Sequence, residues 1–220
     1  MLDIQSWMNG YIGAVRAAFG DRVKYIGLQG SRGRGEATDD SDIDVVCILD
    51  TCSLQDLETY RAAVAALPDR EKLCGFVSGA AELAAWDGAD LFQFRHDTTD
   101  WYGHLTDLLP PEKEEDARRA LYTGSCGLYH LCCHNFLHGR SVEAVAEAYK
   151  SAVFLLQAKT YLEQGVYCRR RADLVRRLTR TDLDILQTAQ AIKAGACRED
   201  LTALTDRLLS WSRGVICSNN

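Results

Sequence analysis

The chain has 220 residues, 47% of them hydrophobic and 25% charged, which is the make-up of an ordinary globular protein and excludes a disordered one. A formal net charge of -6 and a pI near 5.4 argue against a long nucleic acid as partner, but leave room for a small anion held by a few local basic groups. Nine cysteines, an odd number at irregular spacing with no CxxC pair, read as free thiols of a cytoplasmic protein rather than as a disulfide framework.

The opening MLDIQSWMNG lacks a basic region followed by a long apolar core, so no signal peptide is expected. No apolar run approaches the roughly 18 residues of a membrane span, and no membrane contact is expected either. Ile4, Trp7, Met8, Tyr11, Ile12, Val15, Ala18 and Phe19 recur at helical spacing and Gly20 follows as a stop. Val23 to Leu28 is a short apolar run that ends in a glycine turn, as a strand would. Asp42 to Leu49 is a second strand, almost wholly apolar after its carboxylates and therefore central. Leu54 to Leu67 has helical spacing, with Ser53 as N-cap and Pro68 after its end.

Lys72 to Ser78 is expected as a third strand and Leu91 to Asp97 as a fourth. In the latter, Phe92, Phe94 and His96 would share one face and Gln93, Arg95 and Asp97 the other. Leu108 to Asp116, with two prolines and an acidic run, is the expected domain boundary. Beyond it the pattern is helical: Ala117 to Leu137, Val142 to Gln164, Arg169 to Arg180, Thr181 to Ala194 and Asp200 to Gly214. The expected class is α/β (α+β), a small mixed-sheet domain over residues 1–110 followed by an all-α bundle over 111–220.

The chemistry concentrates between Gly30 and Val46. Gly30-Ser31 follows a strand and opens a short helix, whose first N–H groups favour an anion such as a triphosphate. Arg32 and Arg34 stand beside that turn and bring positive charge for phosphate. Asp42 and Asp44 are two residues apart at the head of a strand and would point the same way, roughly 7 Å apart along the backbone. Such a pair repels itself unless a cation intervenes, and Mg²⁺ commonly takes one or two carboxylates plus substrate phosphates. A dinucleotide fingerprint fails because Thr38 stands where the third glycine would be, and no Gly-Lys-Ser/Thr phosphate loop is present.

Gly30-Ser31 followed by Ser41-Asp42-Ile43-Asp44 resembles the signature of the DNA polymerase beta-like nucleotidyltransferase superfamily. The helical half is similar to the C-terminal bundles of aminoglycoside nucleotidyltransferases and of HEPN proteins, though no convincing Arg-x4-6-His ribonuclease motif is found. The resemblance implies transfer of a nucleoside monophosphate, AMP from ATP being the expected case, to a hydroxyl of a small acceptor such as an aminoglycoside-like antibiotic. It makes Gly30 and Ser31 the triphosphate turn, with Arg32 beside them, and Asp42 and Asp44 the ligands of two catalytic Mg²⁺ ions. It also implies a third carboxylate on a neighbouring strand, acting as metal ligand or as base. Asp97 is preferred because it shares the polar face with Gln93 and Arg95; Asp90, at the start of the same run, is the alternative.

In the helical half, His130, His134 and His138 share a helix face whose HxxxH spacing suits zinc, but HExxH is absent and packing or pocket roles are expected instead. Lys150 lies beside Ala146, Val153, Phe154 and Gln157, and either snorkels to water or reaches nucleotide phosphates. The arginines at 169, 170, 171, 176 and 177 read as a solvated face. Two other functions fit the same residues: adenylylation of a partner protein, and nucleotide binding without turnover. A homodimer is compatible with the sequence.

Overall fold

The computed structural model describes residues 2–218. The described residues divide into two compact units: 2–87 with 94–111, and 88–93 with 112–218.

The first unit is built on a four-stranded sheet of order β3-β2-β1-β4, with β1 Val23–Leu28, β2 Ile43–Leu49, β3 Leu73–Gly79 and β4 Thr99–Tyr102. β2 and β3 are parallel, whereas β1 is antiparallel to both β2 and β4, so the sheet is mixed. Helix α1, Ile4–Phe19, opens with Asp3 capping the N–H groups of Gln5 and Ser6, and ends at Gly20 with φ of 57°. Its buried stripe of Trp7, Met8, Tyr11, Val15 and Phe19 packs on Ile43, Val45, Cys47 and Leu49 of β2. Strand side chains alternate between faces, so this packing leaves Asp44, Val46 and Ile48 on the opposite face. Phe76, the register partner of Val46, stands there against Trp86 and Phe94, with ring centroids 4.9 and 5.3 Å away.

Three shorter helices complete this layer. Helix α2, Gly30–Arg34, links β1 to the loop before β2. Helix α3, Leu54–Ala63, starts in a capping box between Ser53 and Asp56, as its N-cap residue anticipates. Helix α4, Ala80–Ala84, follows β3. The segment expected as a fourth strand is instead helix α5, Gly88–Asp97. Its buried residues Leu91, Phe92, Phe94 and Asp97 follow a helical rhythm of one, two and three positions. The alternation of Phe92, Phe94 and His96 had a period of two over too few residues to exclude it. The real fourth strand follows at once and is only four residues long.

The second unit is helical: α6 Glu114–His134, α7 Val142–Gln164, α8 Arg171–Val175, α9 Arg180–Lys193 and α10 Leu201–Ser218. A π-turn, Asn135–Gly139, extends α6, and the expected helix over 169–180 shrinks to the short α8. The core gathers Leu121 and Leu128 of α6, Tyr149 and Leu156 of α7, Ile185 of α9 and Leu208 of α10. Gly124 lets α6 approach α7, since a Cβ there would lie 2.4 Å from Leu155. The buried carboxylate of Asp182 ties three elements together, accepting hydrogen bonds from Lys159, from Thr179 at 2.8 Å and from the Trp211 indole at 2.8 Å.

Candidate active site

The site lies in the first unit, where β1 ends beside the start of β2. Leu28 pairs with Val45, and the Gln29 N–H donates to the Asp44 carbonyl at 2.8 Å. This register brings the glycine turn against the aspartate motif. Gly30 has φ of +66°, a conformation that side-chain-bearing residues rarely adopt. A Cβ on Gly30 would stand 1.8 Å from Asp44 Oδ2, so the carboxylate occupies the space that only glycine leaves open. Ser31 is half-buried in the same turn. The five-residue α2 is too short for a large dipole, and only the individual N–H groups of its first turn are left to meet an anion.

Arg32 is buried, and its guanidinium is taken up by the chain itself. It donates to the Ser41 carbonyl at 2.7 Å from a terminal nitrogen and, from Nε, to the Asp42 carbonyl at 3.1 Å. Its side chain therefore fastens the loop that delivers Asp42, instead of projecting to solvent. Ser41 closes the same loop by accepting a hydrogen bond from the Thr38 N–H at 2.9 Å. Asp42 is exposed just before β2 and Asp44 is half-buried as its second residue. Two carboxylates at one strand head match the oxygen chemistry of Mg²⁺, which fills its remaining positions with water and phosphate. Among the described residues no group of three or more His, Cys, Asp or Glu side chains is arranged to hold a metal.

The implied third carboxylate is not found on the strand beside β2. β3 carries no acid, and the register partner of Asp44 on it is Cys74, an exposed thiol. Asp97 is the last residue of helix α5, not part of a strand, and it is buried. It accepts two hydrogen bonds from Arg34, at 3.0 and 2.7 Å. Asp90 is exposed in the first turn of α5 and belongs to the other compact unit. Sequence reasoning passed over Asp100 on β4, whose carboxylate accepts from the Tyr25 hydroxyl at 2.7 Å and lies beside the His104 ring at 3.4 Å. Nothing in the local pattern distinguished it from a surface acid.

In the helical unit Lys150 is exposed, with Glu147 at 3.4 Å. The rings of His130, His134 and His138 form an exposed stripe, with centroids 6.2 and 5.0 Å apart, so they do not pack into the core. All nine cysteines are free. Among the described residues no helix is long and apolar enough to cross a membrane.

Set beside known proteins, residues 9–120 match the family model described as a nucleotidyltransferase domain. The spectinomycin adenyltransferase AAD(9) from Enterococcus faecialis, solved with ATP and spectinomycin, superposes with a TM-score of 0.57 at 14% identity, over 93% of this chain and 98% of that one. The cyclic dinucleotide synthase CdnE from Elizabethkingia meningoseptica, solved with GTP and Apcpp, aligns over 98% of this chain and 90% of that one at 14% identity, with a TM-score of 0.32. No curated protein matches the chain.

Proposed function

The chain belongs to the nucleotidyltransferase domain family, and on that premise we propose that it moves AMP from ATP to a hydroxyl of a small molecule. The observation that carries this reading is the contact of Asp44 with the space over Gly30, because it joins a phosphate-holding turn to a metal-holding carboxylate. The paired carboxylates beside the turn favour turnover over binding alone, because two metal ligands at the phosphates suit phosphoryl transfer.

In this reading the N–H groups of the Gly30-Ser31 turn receive the triphosphate. Asp42 and Asp44 would hold Mg²⁺, which would supply positive charge to offset that of the phosphates. Arg32 keeps Asp42 in position through the loop carbonyls, so that the carboxylates are set before substrate arrives. The acceptor oxygen forms a bond to the α-phosphorus as the bond to pyrophosphate breaks, and the hydroxyl proton passes to a base or to water. A small acceptor is favoured over a protein one because the fold extends along nearly the whole length of a spectinomycin adenyltransferase.

Incubation with labelled ATP, Mg²⁺ and a panel of aminocyclitols, aminoglycosides and candidate proteins tests this directly. Label transfer to a small hydroxylated acceptor with release of pyrophosphate is expected. Tight ATP binding with no transfer to any member of a broad panel would sink the enzyme reading, and transfer to protein alone would redirect it.

A further inference from the structure

We infer that Arg34 and Asp97 form a latch that holds the glycine-serine turn in its nucleotide-receiving shape, making Asp97 a positioning residue rather than a metal ligand. This rests on the proposed function for its link to nucleotide, but the latch itself is a matter of geometry.

Arg34 closes α2 and Asp97 closes α5, 63 residues later. One terminal guanidinium nitrogen donates to both carboxylate oxygens, at 3.0 and 2.7 Å. Nε of the same arginine lies 3.3 Å from Glu36, just beyond the helix. The two paired side chains are only 10% and 8% exposed, so water screens them little. A carboxylate neutralised in this way is a poor host for a second cation. Its partner arginine is equally committed and is not directed at phosphate.

Two neighbours of Asp97 grip the same turn at other points. The Thr98 hydroxyl accepts from the Gln29 amide at 2.7 Å, immediately before Gly30. The Thr99 hydroxyl donates to the Gly33 carbonyl at 3.4 Å, in the middle of α2. Residues 97–99 therefore hold α2 before its start, along its length and at its end. The need is physical: a helix of five residues does not pay its own nucleation cost and keeps its shape only through such contacts. The ion pair is the strongest of the three, since it is charge-assisted and shielded from water. Breaking it leaves α2 populating other shapes, and apparent nucleotide affinity falls in proportion to the competent fraction.

The test uses Asp97→Asn, Arg34→Gln and the double variant, with Arg34→Lys in reserve should a variant fail to fold. Hydrogen exchange without nucleotide is read first: amides of residues 30–36 should exchange at least about tenfold faster in each variant. With ATP, each single variant should raise Kd and KM about tenfold with kcat within about threefold, and the double variant should be no worse than either single one. The Mg²⁺ concentration for half-maximal activity should stay that of the wild type. The latch is overturned if exchange over 30–36 is unchanged. It is also overturned if exchange rises while ATP affinity does not move. Loss of kcat with a shifted Mg²⁺ requirement in Asp97→Asn, and neither effect in Arg34→Gln, would return Asp97 to the metal. Failure of the wild-type protein to bind ATP counts against the proposed function, and the exchange measurement still decides the latch.

Discussion

Asp44 Oδ2 lies 1.8 Å from the point where a Cβ on Gly30 would stand, so the carboxylate and the missing side chain share one space. Gly30→Ala must therefore both adopt φ near +66° and displace the carboxylate. The backbone term alone costs about 1–2 kcal/mol. The larger effect is on chemistry, because a shift of about 1 Å in a reacting group costs on the order of 100-fold in rate. Pyrophosphate release should fall that far while thermal unfolding moves by only a few degrees. A variant with wild-type turnover would separate the turn from the site.

Neutralising the carboxylates separates function from folding. Asp44→Asn keeps the shape of the side chain and removes its charge, and Asp42→Asn does the same at an exposed position. Each should reduce transfer by more than about 100-fold, the scale on which preorganised charge acts. Circular dichroism should be unaltered in both. Full activity in Asp44→Asn would remove the metal assignment.

Cys74 offers a probe of the site that needs no turnover. It is exposed and stands in register with Asp44, about 5 Å away on the neighbouring strand. A maleimide should modify it readily in the free protein, and ATP with Mg²⁺ at ten times Kd should slow that reaction about tenfold, in proportion to occupancy. Cys217, also exposed but in the helical unit, should react at the same rate with or without nucleotide. Peptide mass spectrometry reads both sites in one sample, and equal rates at Cys74 would place the nucleotide elsewhere.

Acid should weaken the start of α3 in a defined direction. Arg22, at 2.6 Å, and then Ser53 hold the Asp56 carboxyl well below the usual carboxylate range. A group whose folded pKa is depressed stabilises fully above its unfolded value, near 3.9, and loses that contribution as pH falls through the folded value. Asp56→Asn should therefore be less stable than wild type near neutrality, with the gap in Tm closing below about pH 4. A gap that stays constant down to about pH 2 would contradict the linkage.

The parts legible in the sequence are those whose causes are local. Asp3 and Ser53 mark helix starts through side chains that reach the next few N–H groups, and Gly20 marks a stop through its positive φ. The head of β2 is legible because Asp42 and Asp44 interrupt an otherwise apolar run. Helix α5 was misread because seven alternating residues fit two periods, and only Leu91 and Phe94, both buried three positions apart, decide between them. β4 escaped notice because four residues give no pattern, and its pairing depends on β1, far back in the chain. The same distance hid the partnership of Arg34 with Asp97 and the inward turn of Arg32 onto the Ser41 carbonyl. Residue type signals a charge; only the fold decides what meets it.

The alternation along β2 has a bearing on inheritance as well as on chemistry. Ile43 and Val45 face α1 while Asp44 between them faces the site. A one-residue slip at the head of the strand would exchange those faces, turning Asp44 into the apolar layer under α1 and Ile43 away from it. Such a chain would fail to fold before it could be an impaired enzyme, and cellular proteolysis would remove it. Lineages can therefore lengthen or shorten the exposed stretch around Asp39 and Asp40, but the phase of the strand that follows is policed by folding itself.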